Sequence, residues 1–307
     1  MDVQTYWSAV IRQDAQAMHS IQVKSILSAR NGMNLYRGCQ HGCIYCDSRS
    51  RCYQMEHPFE DIAVKENGPE LLEAALRRKR KPCMIGTGSM SDPYIPLEME
   101  LGLTRKSLEL IEKYGFGVTM ITKSDRILRD LDILKQINER TKAVVQMTLT
   151  TMEEGLCRIL EPGVCTTARR IEVLKMLQEA EIPTVVWMCP ILPFLNDTEE
   201  NIRGIVRACA GAGVKGIIHF GMGMTLREGS REYYYAALDR HFPGLKEQYI
   251  RTYGNRYEIN SPKNAELMKL FHNTCEKAGI LHDIRQIFTY LHAFEDKELL
   301  DQASFFD

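Results

Sequence analysis

Between Met33 and Gly221 short β-branched runs alternate with amphipathic helical stretches, and that rhythm restricts the fold more than any other feature. Strands are expected near 33–37, 82–87, 117–122, 143–150, 184–189 and 216–221. Helical patterns fall between them at 69–80, 105–114, 125–140, 166–180 and 198–212. Pro69 suits a first helical turn, Gly115 follows the second helix, and Thr198 with Asn201 opens the last. Strands that alternate with helices read as parallel βαβ units. Fewer than eight units point to an α/β fold of partial (β/α)6 TIM type, open at one side. A doubly wound open sheet has the same one-dimensional pattern. The boundaries this implies are an N-terminal extension over 1–31, a barrel core over 32–223 and a mostly helical C-terminal extension over 224–307. In either architecture the sites form where strands end at their C-terminal side. That rule gathers 37–46, 86–94, 123–124, 150–151, 190–196 and 221–223 on one rim.

Composition narrows the class. With 307 residues, 44% of them hydrophobic and 26% charged, the chain can bury a sizeable core. The balance of 39 basic against 40 acidic residues excludes a wholly basic nucleic-acid coat, though not a local patch. The longest apolar run, 183–195, is too short for a membrane span and holds three prolines. The first residues lack a signal peptide's basic start and apolar stretch, so a soluble cytoplasmic protein is expected.

Ten cysteines then stand out. A core-rich chain of this length does not need five disulfides, so its thiols read as buried hydrophobes or as ligands. Seven are scattered, and Cys209 among them reads as core. Cys39, Cys43 and Cys46 crowd into eight positions, where thiolates repel unless a cation or cluster neutralises them. Structural zinc usually takes two short Cys pairs, and the second pair is missing. Three soft thiolates suit a cubane Fe–S cluster with one iron left open. His41, inside the loop, reads as a solvated side chain rather than a ligand.

Asn34-Leu-Tyr-Arg-Gly-Cys39-Gln-His-Gly-Cys43-Ile-Tyr-Cys46 resembles the cluster loop of radical S-adenosylmethionine (SAM) enzymes, and more narrowly their spore-photoproduct-lyase-like branch. The narrower resemblance covers roughly 25–305 and rests also on the stretches 86–94, 121–124, 170–171 and 190–197. It implies a radical SAM barrel and a 4Fe–4S cluster on Cys39, Cys43 and Cys46, with SAM on the fourth iron. The implied reaction is reductive cleavage of SAM to a 5′-deoxyadenosyl radical, with an electron donor such as flavodoxin or ferredoxin. Ser91 and Asp92 would meet the SAM ammonium, Lys123 and Arg170 its carboxylate, and Asn196 the adenine or ribose edge. Thr148 would lie near SAM, since Gln146, Thr148 and Thr150 share one strand face and suggest a polar lumen.

The sequence also departs from that branch. Spore photoproduct lyase proper has a cysteine just ahead of the Ser-Asp pair, where this chain has Ser89, and a hydroxyl is a poor hydrogen-atom donor. It has tyrosine after the third cluster cysteine, where this chain has Asp47. Cys189, Tyr94 and Tyr45 are the substitute donors considered. Family likeness favours nucleic acid or a nucleotide as substrate. The rivals are a peptide or small metabolite, and a non-enzymatic zinc or Fe–S binding module. Arg49, Arg51 and Arg227 are the residues placed for phosphate contacts; the basic run 77–81 reads as a solvated helix end. The tail residues Gln302, Ser304, Phe305 and Phe306 resemble the short motifs with which bacterial repair proteins engage a sliding clamp.

Overall fold

A computed structural model describes residues 18–297. The strands in chain order are β1 (Met18–Ile21), β2 (Gly32–Met33), β3 (Tyr36–Arg37), β4 (Ile62–Lys65), β5 (Met84–Thr87) and β6 (Gly117–Thr122). They continue as β7 (Ala143–Thr148), β8 (Thr184–Trp187), β9 (Gly216–Ile218), β10 (Gly223–Thr225) and β11 (Glu258–Asn260). The helices are α1 (Gly68–Arg78), α2 (Glu98–Leu101), α3 (Leu103–Lys113), α4 (Leu131–Arg140), α5 (Glu154–Leu160), α6 (Thr167–Glu179) and α7 (Glu199–Gly211). Four more follow: α8 (Ser230–His241), α9 (Leu245–Tyr253), α10 (Asn264–Ala278) and α11 (Ile284–His292).

Six strands form one all-parallel sheet in the order β2-β5-β6-β7-β8-β9, the chain order of a partial (β/α)6 barrel. Threonine hydroxyls open two of the crossover helices. Thr166 accepts from Arg169 N at 3.4 Å ahead of α6, and Thr198 accepts from Asn201 N at 3.2 Å ahead of α7. Alternation along β7 sorts its side chains between two layers. Val145 and Met147 join the main core with Leu134, Ile137, Leu174, Leu177 and Ile205 of the helical layer. Val144 belongs to the opposite face, where it meets Val185, Ile218 and the α11 residues Ile287 and Leu291. The last described helix therefore plugs the inner side of the sheet.

Two stretches differ from expectation. The run 33–37 is not one strand: β2 pairs with β5, while β3 turns away to pair antiparallel with β4. Within the N-terminal extension, 18–21 form β1, parallel to β4, with His19 opposite Ala63. The described segment after β9 is mostly helical, with β10 and β11 paired antiparallel around the intervening α8 and α9, and it covers the loop that carries the three clustered cysteines. Tyr45 and Ile44 share an apolar cluster with Leu226, Tyr234 and Leu238. Tyr249 hydroxyl donates to Pro193 O at 2.6 Å, fastening the cover to the loop after β8. Among the described residues no helix is long and apolar enough to cross a membrane. The tail motif at 302–306 lies outside the described residues.

Candidate functional site

The loop from Cys39 to Cys46 is braced from three sides by backbone contacts. Cys39 N donates to Phe59 O at 3.1 Å, Ile44 N to Leu160 O at 3.0 Å, and Gly163 N to His41 O at 2.8 Å. Two glycines allow that closeness. Gly38 has φ +98°, and a Cβ there would stand 2.6 Å from Phe59 O. A Cβ on Gly163 would stand 2.7 Å from His41 O. From the β5 side, Ser91 hydroxyl donates to Gly38 O at 2.6 Å. Cys43 is buried, and burial raises the Cys39 thiol to about 12, with Asp92 and Cys46 adding to the rise. Such thiols give up their protons to a metal or cluster rather than to solvent.

Asp92 is fully committed to the protein. Its Oδ1 accepts from Tyr94 N and from Thr122 hydroxyl, both at 2.8 Å, and its Oδ2 accepts from Lys123 N at 2.8 Å. The same Oδ2 lies 3.4 Å from His41 Nδ1. His41 is therefore not the solvated residue expected: it is 2% exposed, and burial holds its pKa below the ordinary value despite Asp92. Its Nε2 is buried with no hydrogen-bond partner among the described residues. Behind the loop, the fully buried Glu161 accepts from Tyr45 hydroxyl and pairs with Arg170. Arg170 also donates to Thr148 O at 2.9 Å and Cys165 O at 3.0 Å. Lys123 Nζ sits 5.9 Å from the Tyr45 ring. Burial opposes its charge, but Cys43, Glu161, Cys46 and Asp92 together outweigh burial and raise its pKa. A cation thus stands beside the thiols.

The radical SAM superfamily model matches residues 33–203, more than half of the chain. The chain belongs to the radical SAM superfamily. Two uncharacterized relatives are similar to it. One from Methanocaldococcus jannaschii is 34% identical over 189 residues, 61% of this chain and 70% of that protein. One from Mycobacterium tuberculosis is 27% identical over 245 residues, 77% and 71% of the two chains. A radical SAM Nalpha-GlyT isomerase of Pseudomonas phage M6 is 23% identical over 182 residues, 59% and 36% of the two. In fold the chain resembles a spore photoproduct lyase mutant with AdoMet and dinucleoside spore photoproduct bound. The TM-score is 0.65 at 14% identity, covering 89% of this chain and 83% of that one.

Radical SAM proteins work with a 4Fe–4S cluster and SAM, and the residues present fit such a group better than a single ion. Tetrahedral zinc at about 2.3 Å from each sulfur would draw thiols to about 3.8 Å from one another. Among the described residues, ligand atoms of three such side chains come within 4.8 Å of one another at His19, His57 and Asp61, and the loop cysteines are not drawn together that tightly.

In this radical SAM chain several expected site residues are spent on the protein itself. Arg170 is fully buried, and its guanidinium is occupied by Glu161, Thr148 O and Cys165 O, so it serves the scaffold rather than a ligand carboxylate. Asn196 Nδ2 donates to Thr150 O at 2.8 Å while its Oδ1 accepts from Leu192 N at 2.5 Å, which shapes the loop after β8. Tyr94 is completely buried with its hydroxyl on Asp130, 3.0 Å away. The turn that Asp92 caps aims that ring into the helical layer. Thr148 is buried in the lumen, below it Gln146 links Thr119 at 2.7 Å to Trp187 Nε1 at 2.7 Å, and the polar lumen is there. Cys189 is half-buried, its thiol raised by burial to about 12, with Lys123 near enough to oppose the rise.

The arginines expected at phosphates are also paired. Arg49 lies 2.5 Å from Glu60 and is stacked between Phe59 and Tyr233; Arg51 pairs with Glu228; Arg227 lies 3.0 Å from Asp47. Two carboxylates have partners that the sequence does not reveal: Asp47, noted only as a departure from the lyase branch, and Glu161. Asp47 accepts from Thr225 hydroxyl at 2.9 Å, so the residue after Cys46 ties the cluster loop to β10. Glu161 had one local signal, the Pro162-Gly163 turn that follows it.

Proposed function

We propose that Cys39, Cys43 and Cys46 hold a 4Fe–4S cluster with one iron open to SAM, and that the chain is a radical SAM enzyme acting on a nucleotide-containing substrate. The observation that carries this is the braced Cys39–Cys46 loop at the C-terminal ends of six parallel strands, with Lys123 beside its thiols. When bound, the reduced cluster supplies the electron that splits the SAM sulfonium, giving methionine and a 5′-deoxyadenosyl radical. Lys123 is placed to offset the negative charge of the thiolates and to meet the SAM carboxylate. Ser91 and Asp92 act by holding the loop and the β6 end in register. Cys189, on the same rim, is the thiol we assign as hydrogen-atom donor, because Tyr94 is sealed away and Tyr45 is committed to Glu161. The α8–α9 cover keeps water from the Ile44–Tyr45 side.

The substrate class rests on two similarities, to a lyase solved with a dinucleoside photoproduct and to a phage Nalpha-GlyT isomerase. A groove of about 600 Å³ lined by Arg51, Cys52, Arg227, Glu228 and Tyr257 lies next to Asp47 and offers room for it. Because its arginines are paired, phosphate neutralisation there is weak, and stacking on exposed Tyr257 is the stronger grip. The test is 5′-deoxyadenosine formation by anaerobically purified protein with dithionite or reduced flavodoxin. Oligonucleotides are expected to stimulate it and unrelated peptides are not. Stimulation by peptides alone transfers the substrate to that class, and a colourless zinc-loaded protein overturns the cluster.

A further inference from the structure

Behind the cysteine loop, the N-terminal strand brings a different ligand set together. One ligating atom from each of His19, His57 and Asp61 lies within 4.8 Å of the other two. The two imidazole rings meet edge to face with centroids 4.7 Å apart. His57 Nδ1 lies 3.0 Å from Pro58 O, an acceptor that holds the proton on that nitrogen and leaves Nε2 to ligate, as outer acceptors do for metal-binding histidines. His19 Nδ1 lies 3.1 Å from Asp61 Oδ1, the spacing of two ligand atoms at about 2.0 Å from one tetrahedral ion. Chain topology supplies the third element, because β1 pairs with β4 directly after Asp61. The His19 and Asp61 side chains keep 39% and 25% of their surface exposed, so an ion reaches them from solvent.

We propose that His19, His57 and Asp61 form a divalent transition-metal site, separate from the cysteine loop and independent of its cluster. Two imidazoles and one carboxylate suit borderline ions such as Zn²⁺ rather than the hard Mg²⁺ or Ca²⁺, with water completing the coordination. The ion's role is structural. It clamps β1 to the segment 57–61, whose Phe59 carbonyl receives the Cys39 N–H and whose Asp61 carbonyl lies against Gly38. It thereby braces the first cluster cysteine from outside the barrel.

Calorimetric titration of ZnSO₄ into anaerobically purified, iron-loaded full-length protein tests the site, with the cluster cysteines already occupied. One Zn²⁺ is expected to bind per chain, while MgCl₂ gives no binding heat. His19→Ala and His57→Ala are each expected to weaken Zn²⁺ binding at least tenfold with iron content unchanged. Zinc-edge X-ray absorption of the wild-type complex needs no variant; it is expected to show nitrogen and oxygen neighbours at about 2.0 Å and no sulfur at about 2.3 Å. Absence of binding by the wild type, a loss smaller than tenfold in folded variants, or sulfur among the zinc neighbours each overturns the site. The readout does not depend on SAM cleavage, so it separates from failure of the proposed enzyme activity.

Discussion

The inner side of the six-stranded sheet holds charge differently at its two ends. At the C-terminal ends of the strands, charged groups are buried in pairs: Glu161 with Arg170, and Lys123 among Asp92, Glu161 and the thiols. At the other end, Val144, Val185 and Ile218 close against Ile287 and Leu291 of α11, and Lys142 is buried at the edge of this plug with its ammonium on Tyr290 O, Ala293 O and Glu295. The difference locates the chemistry. The plug excludes water and its Lys142 ion is spent on closing α11 onto the sheet, whereas the rim gathers several ions beside the thiols, each of which needs a partner. Glu161 shows the cost being met: burial alone would raise its pKa, yet Arg170, Lys123 and the Tyr45 hydroxyl lower it. The rim thus keeps a negative charge at the Tyr45 hydroxyl and a positive charge at Lys123.

The largest effect is expected in the cysteine loop. Cys43→Ala removes a buried thiol from the braced segment and is expected to abolish the brown colour, the bound iron and SAM cleavage together. Cys52→Ala alters an exposed thiol in the neighbouring groove and is expected to keep all three. Iron and sulfide analysis with chromatography of 5′-deoxyadenosine measures both variants. Retention of iron by the first, or loss by the second, moves the cluster away from this end of the sheet.

Next in size is the rim's buried ion pair. Arg170→Met leaves Glu161 without its main partner and is expected to cost about 3–5 kcal/mol, the range for breaking a buried pair from one side. Adding Glu161→Gln removes the stranded charge and is expected to restore much of that loss, a non-additivity that urea denaturation reads directly. If the double variant is as unstable as the sum of the single ones, the pair is not a coupled unit, and the contrast between the two ends loses its physical basis.

What could be read in the sequence follows from the range of the forces involved. β6 matches its expected bounds at both ends, because strand alternation and the preceding Gly115 are local signals. The cysteine spacing is equally local. By contrast, Arg170 reaches Glu161 nine residues back over the connection between α5 and α6, and Thr148 across 22 residues, while Tyr45 meets the same carboxylate across 116. No periodic pattern marks such partners, so an arginine expected at a ligand became an internal tie. His41 failed for the same reason, since its burial is created by Gly163 and Asp92 from two distant loops. The first sheet was missed because β1 and β4 have four residues each and their pairing partners lie more than 40 residues apart.

The plug supplies the converse test. Ile287 is fully buried on α11, a nine-residue helix whose Asp283 side chain accepts from Gln286 N at 2.8 Å to start it. Ile287→Ala deletes methyl and methylene groups from contact with the inner face of the sheet and leaves a cavity that its neighbours fill only in part. Such truncations cost about 2–5 kcal/mol, and the lower half is expected here because α11 is the last described helix and can shift inward. Chemical denaturation is expected to show that loss with iron content and the wild-type rate of SAM cleavage retained below the unfolding transition. Loss of iron at native conditions would mean that the apolar end holds the rim in shape, so the two ends would not be separable in function. Unchanged stability would mean that α11 lies on the sheet without sealing it, leaving water free to reach the Gln146 layer from below.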